Sequence, residues 1–428
     1  MKTKVNNNLN GKKILVITTG SIAAVKIPLL VSNLIKTGAE VRCVVSPSAS
    51  KLVSPLSLST LSRNACYQDE DQWNRREPRP LHISLSEWAD LIAVAPLSAS
   101  SLSRWVHGLS EGLAASILLA SEKPVIAAAA MNTAMWNNSS IKNNWETLKN
   151  FPNVIPLTPA EGLLACDRIG DGRMADPLLI QLAIESAIIQ FRANSALHKD
   201  WSNLKLLVTA GPTIEDIDRA RYLTNRSTGK MGVLIGQAAR FRGATVDLIH
   251  GPIQVEAALL EGLQTFAVRN SNEMYSILED LQSSADAIAM TAAIADLKPL
   301  VNTKNIKLSK EELFKSMKDR FEIVPDLLSK LIANRKNNQV FLGFTALTGN
   351  DEKIKELAML KKKQKKCDLL MANPIDRSNQ GFESDSNGGW LLGPEEAINE
   401  IKIGSKLSVA HQLLDELKSV LINKLKNK

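Results

Sequence analysis

Long hydrophobic runs are missing from this sequence. Nothing in it approaches the roughly 18 to 20 uninterrupted apolar residues that a membrane-spanning helix needs. The opening MKTKVNNNLNGKK passes directly into the strand-like ILVITT, without the apolar core or small-residue cleavage site of a secretory leader. A soluble cytoplasmic protein with no membrane partner is therefore expected. Cysteine is scarce too: Cys43, Cys66, Cys166 and Cys367 are scattered and form no C-x-x-C, so neither a disulfide framework nor a zinc site can be built from them. A cysteine with a role here acts as a thiol. Aromatic residues are only 4% of the chain, which leaves no platform for stacking bases. The net charge of +8 is spread evenly, with 19 basic against 15 acidic residues in 1–195 and 33 against 29 in 196–428. Each half carries only a mild excess, and no nucleic-acid partner is expected.

What the sequence does have is a globular composition, 44% hydrophobic and 22% charged, over a length that accommodates about two to four domains. From the start the pattern is strand, glycine turn, amphipathic helix: ILVITT at 14–19, Gly20-Ser21, then IAAVKIPLLVSNLIKTG stopping at Gly38. Short apolar runs recur at VRCVV (41–45), LIAVA (91–95), PVIAAAA (124–130) and NVIPL (153–157), separated by helix-length segments. This spacing predicts a parallel sheet covered on both faces. ANSALHKDWSN at 193–203 breaks the pattern, and LKLLVTAGPT at 204–213 restarts it. The later runs are VDLIH (246–250), QTFAV (264–268), AIAMTAA (287–293), VFLGFTA (340–346) and DLLMAN (368–373). Two α/β domains, 1–195 and 196–428, are expected, with an amphipathic helix over 405–428 closing the second. The polar segments 65–80, 300–323 and 375–388 read as loops or flaps.

Chemistry-bearing residues concentrate in a few places. TTGSIAAVK puts a glycine and the Ser21 hydroxyl at a strand-to-helix turn, an arrangement that suits either a bound phosphate or an ordinary Gly-Ser helix cap. The second and third glycines of the dinucleotide fingerprint are missing, which favours a mononucleotide over a nicotinamide cofactor. His82 lies in LHISLSEWADLIAVAP, Asn132 in AAAMNTAMW and Cys166 in EGLLACDRIGDGRM. Singly these have ordinary readings: a surface histidine, a helix cap and a buried small hydrophobe. Cys166 is the hardest to read so, because Gly170, Asp171 and Gly172, closing on Arg173-Met174, make a flap that presents a thiol.

Taken together, the GSIAA turn, the histidine motif, A-M-N-x-x-M-W and the L-A-C flap with G-x-G-R-M resemble the flavin-dependent cysteine decarboxylases, in their phosphopantothenoylcysteine decarboxylase branch. They cover about 160 residues in the expected order. The resemblance implies a flavodoxin-like/Rossmann-like flavoprotein domain. It implies FMN held by Gly20, Ser21, Ile22, Ser46 and Ser98, with His82 as active-site base and Asn132 on the substrate carboxylate. Cys166 would donate a proton in the final reduction, and Met131, Arg173 and Met174 would line the substrate. The flavin takes a hydride from the carbon bearing sulfur, the thioaldehyde loses carbon dioxide, and the enethiol is reduced again, so the cofactor ends as it began. Three positions depart from the family pattern: Ala129 stands for the proline of P-A-M-N, Asp167 for a glycine, and APLSASS for A-P-A-T-A-N. Flavin binding is expected to survive, since a serine still donates.

The second half carries VTAGPTIEDIDRARYLTNRSTGKMG, in which Arg221, Asn225, Ser227 and Lys230 gather before a helix, a composition suited to an anionic substrate. With TAAIADLKP, a lysine loop, Val324-Pro325-Asp326, GFTALT and KKCDLLMAN, the segment from about 204 to 400 resembles the phosphopantothenate–cysteine ligase domains fused to such decarboxylases in bacteria. That resemblance implies a Rossmann-like domain. In it 4′-phosphopantothenate attacks the α-phosphate of CTP with help from Mg²⁺, and the cysteine amine then displaces CMP. Asn225 would act on the acyl cytidylate and Arg221 would hold substrate. Asp296, Lys307, Pro325, Asp326, Leu327, Leu328, Phe344, Lys361 and Lys365 would form the nucleotide site. The K-x-x-K loop matches KLSK at 307–310, with Lys304 and Lys310 as alternatives. Leu347 replaces a family glutamate. The whole chain thus resembles the bifunctional decarboxylase–ligase family, which implies a homo-oligomer built on trimers, with a dodecamer as the larger form. Rival readings are one active half, or a noncatalytic flavin-binding regulatory protein, against which the joint presence of His82, Asn132 and Cys166 speaks.

Overall fold

The run KILVIT is apolar on both faces after its first residue, and a strand of that kind is stable only when covered on both sides. In the computed structural model, which describes residues 8–74, 78–163, 169–194, 197, 199–300, 307–319, 321–336 and 338–426, it is the central strand of the first of two compact units. The units lie within Asn7–Lys199 and Asp200–Lys428. The first contains β1 (Lys13–Thr18), β2 (Glu40–Val45), β3 (Cys66–Tyr67), β4 (Leu91–Leu97), β5 (Val125–Ala129) and β6 (Val154–Leu157). All are parallel, in the order β3-β2-β1-β4-β5-β6. A hairpin of β7 (Ala160–Leu163) and β8 (Ile169–Arg173) follows. Leu15, Ile17, Ile92 and Val94 on one face pack with Trp105, Trp136 and Trp145 into a core. Trp136 meets Trp145 edge to face at 5.3 Å, which pins the one-turn helix Thr133–Trp136 to the helix Ser139–Lys149.

The second unit repeats the scheme with β9 (Lys205–Ala210), β10 (Ile214–Asp216), β11 (Tyr222–Thr224), β12 (Thr245–His250), β13 (Gln264–Ala267), β14 (Ala287–Met290), β15 (Leu297–Pro299), β16 (Phe321–Ile323), β17 (Val340–Leu347), β18 (Leu369–Pro374), β19 (Ser386–Leu392) and β20 (Ile398–Ser405). Its eight-stranded sheet runs β13-β12-β9-β14-β17-β18-β19-β20, parallel as far as β18 and antiparallel beyond it. β10 pairs with β11 and β15 with β16 in separate ribbons. In both sheets the chain leaves the first strand in one direction and later resumes on its other side. The crevices between β1 and β4, and between β9 and β14, are therefore the places where ligands bind in open α/β sheets. No helix among the described residues is long and apolar enough to cross a membrane.

The two α/β domains are as expected from the apolar runs, and three details differ. The segment 65–80 is not all loop, since it contains β3 and a 3-10 turn at Asp69–Trp73, where the Gln68 N–H donates to Asp71 at 2.7 Å. Within 300–323 lies a helix, Lys310–Asp319, whose start is a reciprocal cap. Ser309 N–H donates to the Glu312 carboxylate at 2.8 Å, and Ser309 Oγ accepts from Glu312 N–H at 3.2 Å. β19 and β20 were invisible as strands because SNGG reads as a turn. Gly389 has φ +142° there, and a Cβ on it would run into the carbonyl of Ala372 on β18.

Candidate functional site

In the first unit Gly20, Ser21, Ser46, Ser98 and Asn132 lie just beyond the ends of β1, β2, β4 and β5, at the carboxyl edge of the sheet. β1 ends at Thr18, and the turn Gly20-Ser21 leads into the 3-10 helix Ile22–Lys26. Ser46 follows β2, and its N–H donates to the Thr18 carbonyl at 3.0 Å. Ser98 follows β4 and caps the helix Ala99–Val106, its Oγ accepting from Ser101 N–H at 3.3 Å. Thr19 locks the two sides of the crevice together: its Oγ1 donates to the Pro96 carbonyl at 2.7 Å and accepts from Ser98 N–H at 2.8 Å. His82 is half-buried in the first turn of Leu81–Trp88. That helix is followed by β4, and Leu81 and Leu85 with Ala89 after it pack into the core beside Ile92 and Val94.

Asn132 follows β5 and is indeed a helix cap, with Oδ1 accepting from Ala134 N–H at 2.8 Å. Met131 is buried, and its N–H donates to the Gly172 carbonyl at 3.1 Å, which ties β8 to this loop. Gly170 lies so close to Thr133 that a Cβ would collide with its hydroxyl. The hairpin thus returns over Met131–Thr133, with Arg173 half-buried on β8 and Met174 fully buried after it. Cys166 falls in 164–168, outside the described residues, as does Lys304 of the lysine loop. Burial pushes the other thiols up, Cys66 to about 12 and Cys367 to about 11, and Cys43 higher still, so none of these three is a thiolate nucleophile or a ready acid near neutral pH.

The second unit holds a cleft of about 930 Å³ at the carboxyl ends of β14, β17 and β18. Asn225, Asp296, Pro325, Asp326, Leu327, Leu328, Phe344, Lys361 and Lys365 all lie on its wall. Asn225 is fixed by its amide, whose Nδ2 donates to the carbonyls of Ile294 at 3.0 Å and Ala293 at 3.3 Å. Asp326 caps the helix Leu327–Ala333 and is ion-paired to Lys365. Burial raises its pKa, but the Lys365 ammonium and the Ser329 N–H outweigh this and leave it below the usual carboxylate range. Lys361 donates to Thr345 Oγ1 at 3.1 Å. Leu347 is buried in the apolar core with Ile354 and Ala358, so no carboxylate is replaced there by another polar group.

Arg221 and Lys307 are not on the wall of the cleft. Arg221 is clamped to the buried Asp218, with Nε at 3.0 Å, and its other nitrogen donates to the Leu308 carbonyl at 2.8 Å. Asp218 also accepts from the N–H groups of Ala220 and Arg221, and the Arg221 guanidinium holds its carboxyl down to about 2. Leu308 N–H reaches the same carboxylate at 3.3 Å. Arg221 and Asp218 therefore anchor the exposed Lys307 from its neighbour Leu308. Sequence reasoning missed Asn373, Asn387 and Lys406 on the cleft wall. Asn373 donates to Asn387 Oδ1 at 2.7 Å inside the sheet. For Asn373 the signal available was a polar side chain at the end of the apolar run DLLMAN.

Comparison with known proteins agrees with this division. A family described as DNA/pantothenate metabolism flavoprotein C-terminal domain matches residues 201–421, and one described as Flavoprotein matches residues 2–188. The coenzyme A biosynthesis bifunctional protein CoaBC of Bacillus subtilis is 32% identical over 411 residues, covering 96% of this chain and 97% of its own. That of Escherichia coli is 33% identical over 420 residues, again covering 96% of this chain and 97% of its own. Among solved structures, the C-terminal domain of a CoaBC protein is 28% identical with a TM-score of 0.43, covering 53% of this chain and 99% of its own.

Proposed function

The chain belongs to the family of bifunctional coenzyme A biosynthesis proteins, and from that premise we infer that its first unit decarboxylates phosphopantothenoylcysteine with FMN and its second joins cysteine to 4′-phosphopantothenate with CTP. It is an enzyme of two consecutive steps in the formation of coenzyme A. The observation that carries the residue-level reading is the cleft of the second unit, where the Asn225 amide, the Asp296 and Asp326 carboxylates and the Lys361 and Lys365 ammonium groups share a wall at the carboxyl ends of parallel strands.

In the ligase half a carboxylate oxygen of 4′-phosphopantothenate attacks the α-phosphorus of CTP. The bond to the bridging oxygen breaks and pyrophosphate leaves. The cysteine amine then attacks the acyl carbon, loses a proton and displaces CMP. Activation is required because a carboxylate is a poor acceptor at neutral pH. Lys361 and Lys365, with Lys307 held from Arg221 and Asp218, supply the positive charge that the phosphates demand. Magnesium enters as the counter-ion of CTP, since it is typically bound by phosphates with one or two carboxylates, and Asp296 is exposed on the cleft wall. Asn225 orients the acyl intermediate.

The first unit fits the phosphate end of FMN. At Gly20 a Cβ would come 2.6 Å from Ser48 Cβ, so the turn is a cradle that only glycine leaves open. Ser21 makes no side-chain cap to its own helix. Ser46 and Ser98 flank the same crevice. When bound, FMN supplies the acceptance and return of a hydride. The protein does the rest: with Oδ1 of Asn132 held by Ala134 N–H, its amide nitrogen is the end that donates to the substrate carboxylate, while His82 takes the proton of the substrate thiol as the carbon beside it gives up its hydride. Cys166 is the proton donor of the last step, and the protein is a cytoplasmic homo-oligomer. Gly20→Val is expected to give colourless protein with its ligase intact, and an unaltered flavin absorbance on the purified variant would remove Gly20 from the cofactor site.

The test of the whole reading is mass spectrometry after incubation with 4′-phosphopantothenate, cysteine, CTP and Mg²⁺. Phosphopantetheine, CMP and pyrophosphate are expected. Accumulation of phosphopantothenoylcysteine would refute the decarboxylase half, the absence of any new product would refute the ligase half, and no turnover of supplied phosphopantothenoylcysteine besides would refute both.

A further inference from the structure

Two ammonium groups share a single carboxylate beside the ligase cleft. Lys230, in the first turn of the helix Lys230–Phe241, donates to Asp385 Oδ1 at 2.6 Å. Lys406, the first residue of the helix Lys406–Lys426, is only 4% exposed and donates to the Phe382 carbonyl at 3.1 Å. Lys230, Phe382 and Lys406 line the cleft. The segment bearing Asp385 is moored from both sides, since Lys406 N–H donates to the Asp385 carbonyl at 3.0 Å and Thr228 Oγ1 to the Phe382 carbonyl at 3.4 Å. The Asp385 side chain itself is 72% exposed.

That arrangement is out of balance. A buried ammonium is costly unless paired with a negative charge. Here the carboxylate is shared, mostly hydrated and bound directly to the other lysine. Burial first, and then the charge of Lys230, draw the Lys406 ammonium down to about 8 in spite of Asp385. Asp385 is in turn held below its usual range by Lys230. Exposed ion pairs are weak, whereas an ammonium donating to a phosphate in a sheltered site is strong. An entering phosphate would therefore win Lys230 from Asp385 and complete the charge balance of Lys406.

We propose that Asp385 is a built-in stand-in for a phosphate group of the nucleotide, displaced from Lys230 when that nucleotide binds, and that Lys406 is the buried cation that keeps the position anion-seeking. The proposal rests on the reading of this cleft as the nucleotide site. Asp385 and Lys406 thus set nucleotide affinity in opposite directions.

Isothermal titration of CTP with Mg²⁺ into the full-length protein and its variants tests this. Wild type is expected to bind. Lys406→Met should weaken binding by at least roughly tenfold and Asp385→Asn should tighten it by about threefold, as loss of a cation and loss of a competing anion require. A role for Lys406 in holding the fold alone would lower the melting temperature of Lys406→Met and leave its CTP affinity unchanged, and that result overturns the proposal. Equal or weaker binding by Asp385→Asn also overturns it, and this exposed substitution decides the matter if Lys406→Met does not fold. Failure of wild type to bind CTP would instead overturn the nucleotide reading of the cleft.

Discussion

Gly232→Val is expected to cut ligation by about a hundredfold or more while leaving the decarboxylation of supplied phosphopantothenoylcysteine at its wild-type rate, because misplacing reacting groups by about 1 Å costs on that order. Gly232 sits in the first turn of the helix Lys230–Phe241, pressed against the carboxyl ends of β9 and β14. A Cβ there would stand 2.5 Å from Thr291 Oγ1, 2.7 Å from Ala210 Cβ and 2.7 Å from the Thr209 carbonyl oxygen. Two of these neighbours are fixed by the strand itself. The third cannot step aside, since Thr291 Oγ1 donates to that same carbonyl at 2.5 Å while Thr209 Oγ1 accepts from Ala292 N–H at 3.1 Å. Overpacking a core by a methylene costs about 1–3 kcal/mol. A valine at this point adds more than that, so the helix must lift. Lifting it moves Lys230 and the loop of Asn225 away from Ala293 and Ile294, the wall they share. Steady-state ligation and a thermal scan of the variant check this. Wild-type turnover would mean that the close approach of helix and sheet is immaterial to the site.

How far the sequence could be read follows from the kind of signal each feature gives. The eleven apolar runs identified as strands are strands, because a parallel sheet covered on both faces forces nearly every residue of a strand to be apolar. β19 escaped because its opening Ser-Asn-Gly-Gly is required by contact with Ala372, a constraint that lies across the sheet. The helix Lys310–Asp319 escaped among lysines although Ser309 and Glu312 have the spacing of a capping box. In the site, the residues of the cleft wall belong to compact motifs at strand ends, where position along the chain nearly determines position in space. Arg221 belongs to such a motif too, yet its guanidinium is taken by Asp218 and Leu308. That pairing joins segments about 90 residues apart, and nothing local in Asp-Arg-Ala-Arg announces it. Lys406 carried no signal at all: as the first residue of an amphipathic helix it looks like any solvated lysine, and only the mooring of the Phe382–Asp385 segment buries it.

For Asn225→Asp, of almost identical size, the expectation is a block between the two ligase half-reactions. The Asn225 amide nitrogen donates to two carbonyl oxygens, those of Ile294 at 3.0 Å and Ala293 at 3.3 Å, and these bonds aim the other end of the amide. Aspartate has no donor to replace it. Two hydrogen bonds worth about 0.5–1.5 kcal/mol each are lost. A negative charge is also set against two carbonyl dipoles, so the side chain turns away. The attack of 4′-phosphopantothenate on CTP makes its bond at phosphorus, where the lysines act, and should continue. The attack of cysteine on the acyl carbon needs the intermediate oriented and its developing charge met, and removal of one such group costs roughly 10²–10³-fold. One equivalent of pyrophosphate should therefore appear in a burst, with the acyl cytidylate detectable by mass spectrometry and formation of phosphopantothenoylcysteine slowed by that factor. If the variant forms the amide at the wild-type rate, Asn225 has no part in the chemistry. If the burst disappears as well, the amide acts before the nucleotide is cleaved, and its two carbonyl contacts serve to shape the phosphopantothenate seat rather than the acyl intermediate.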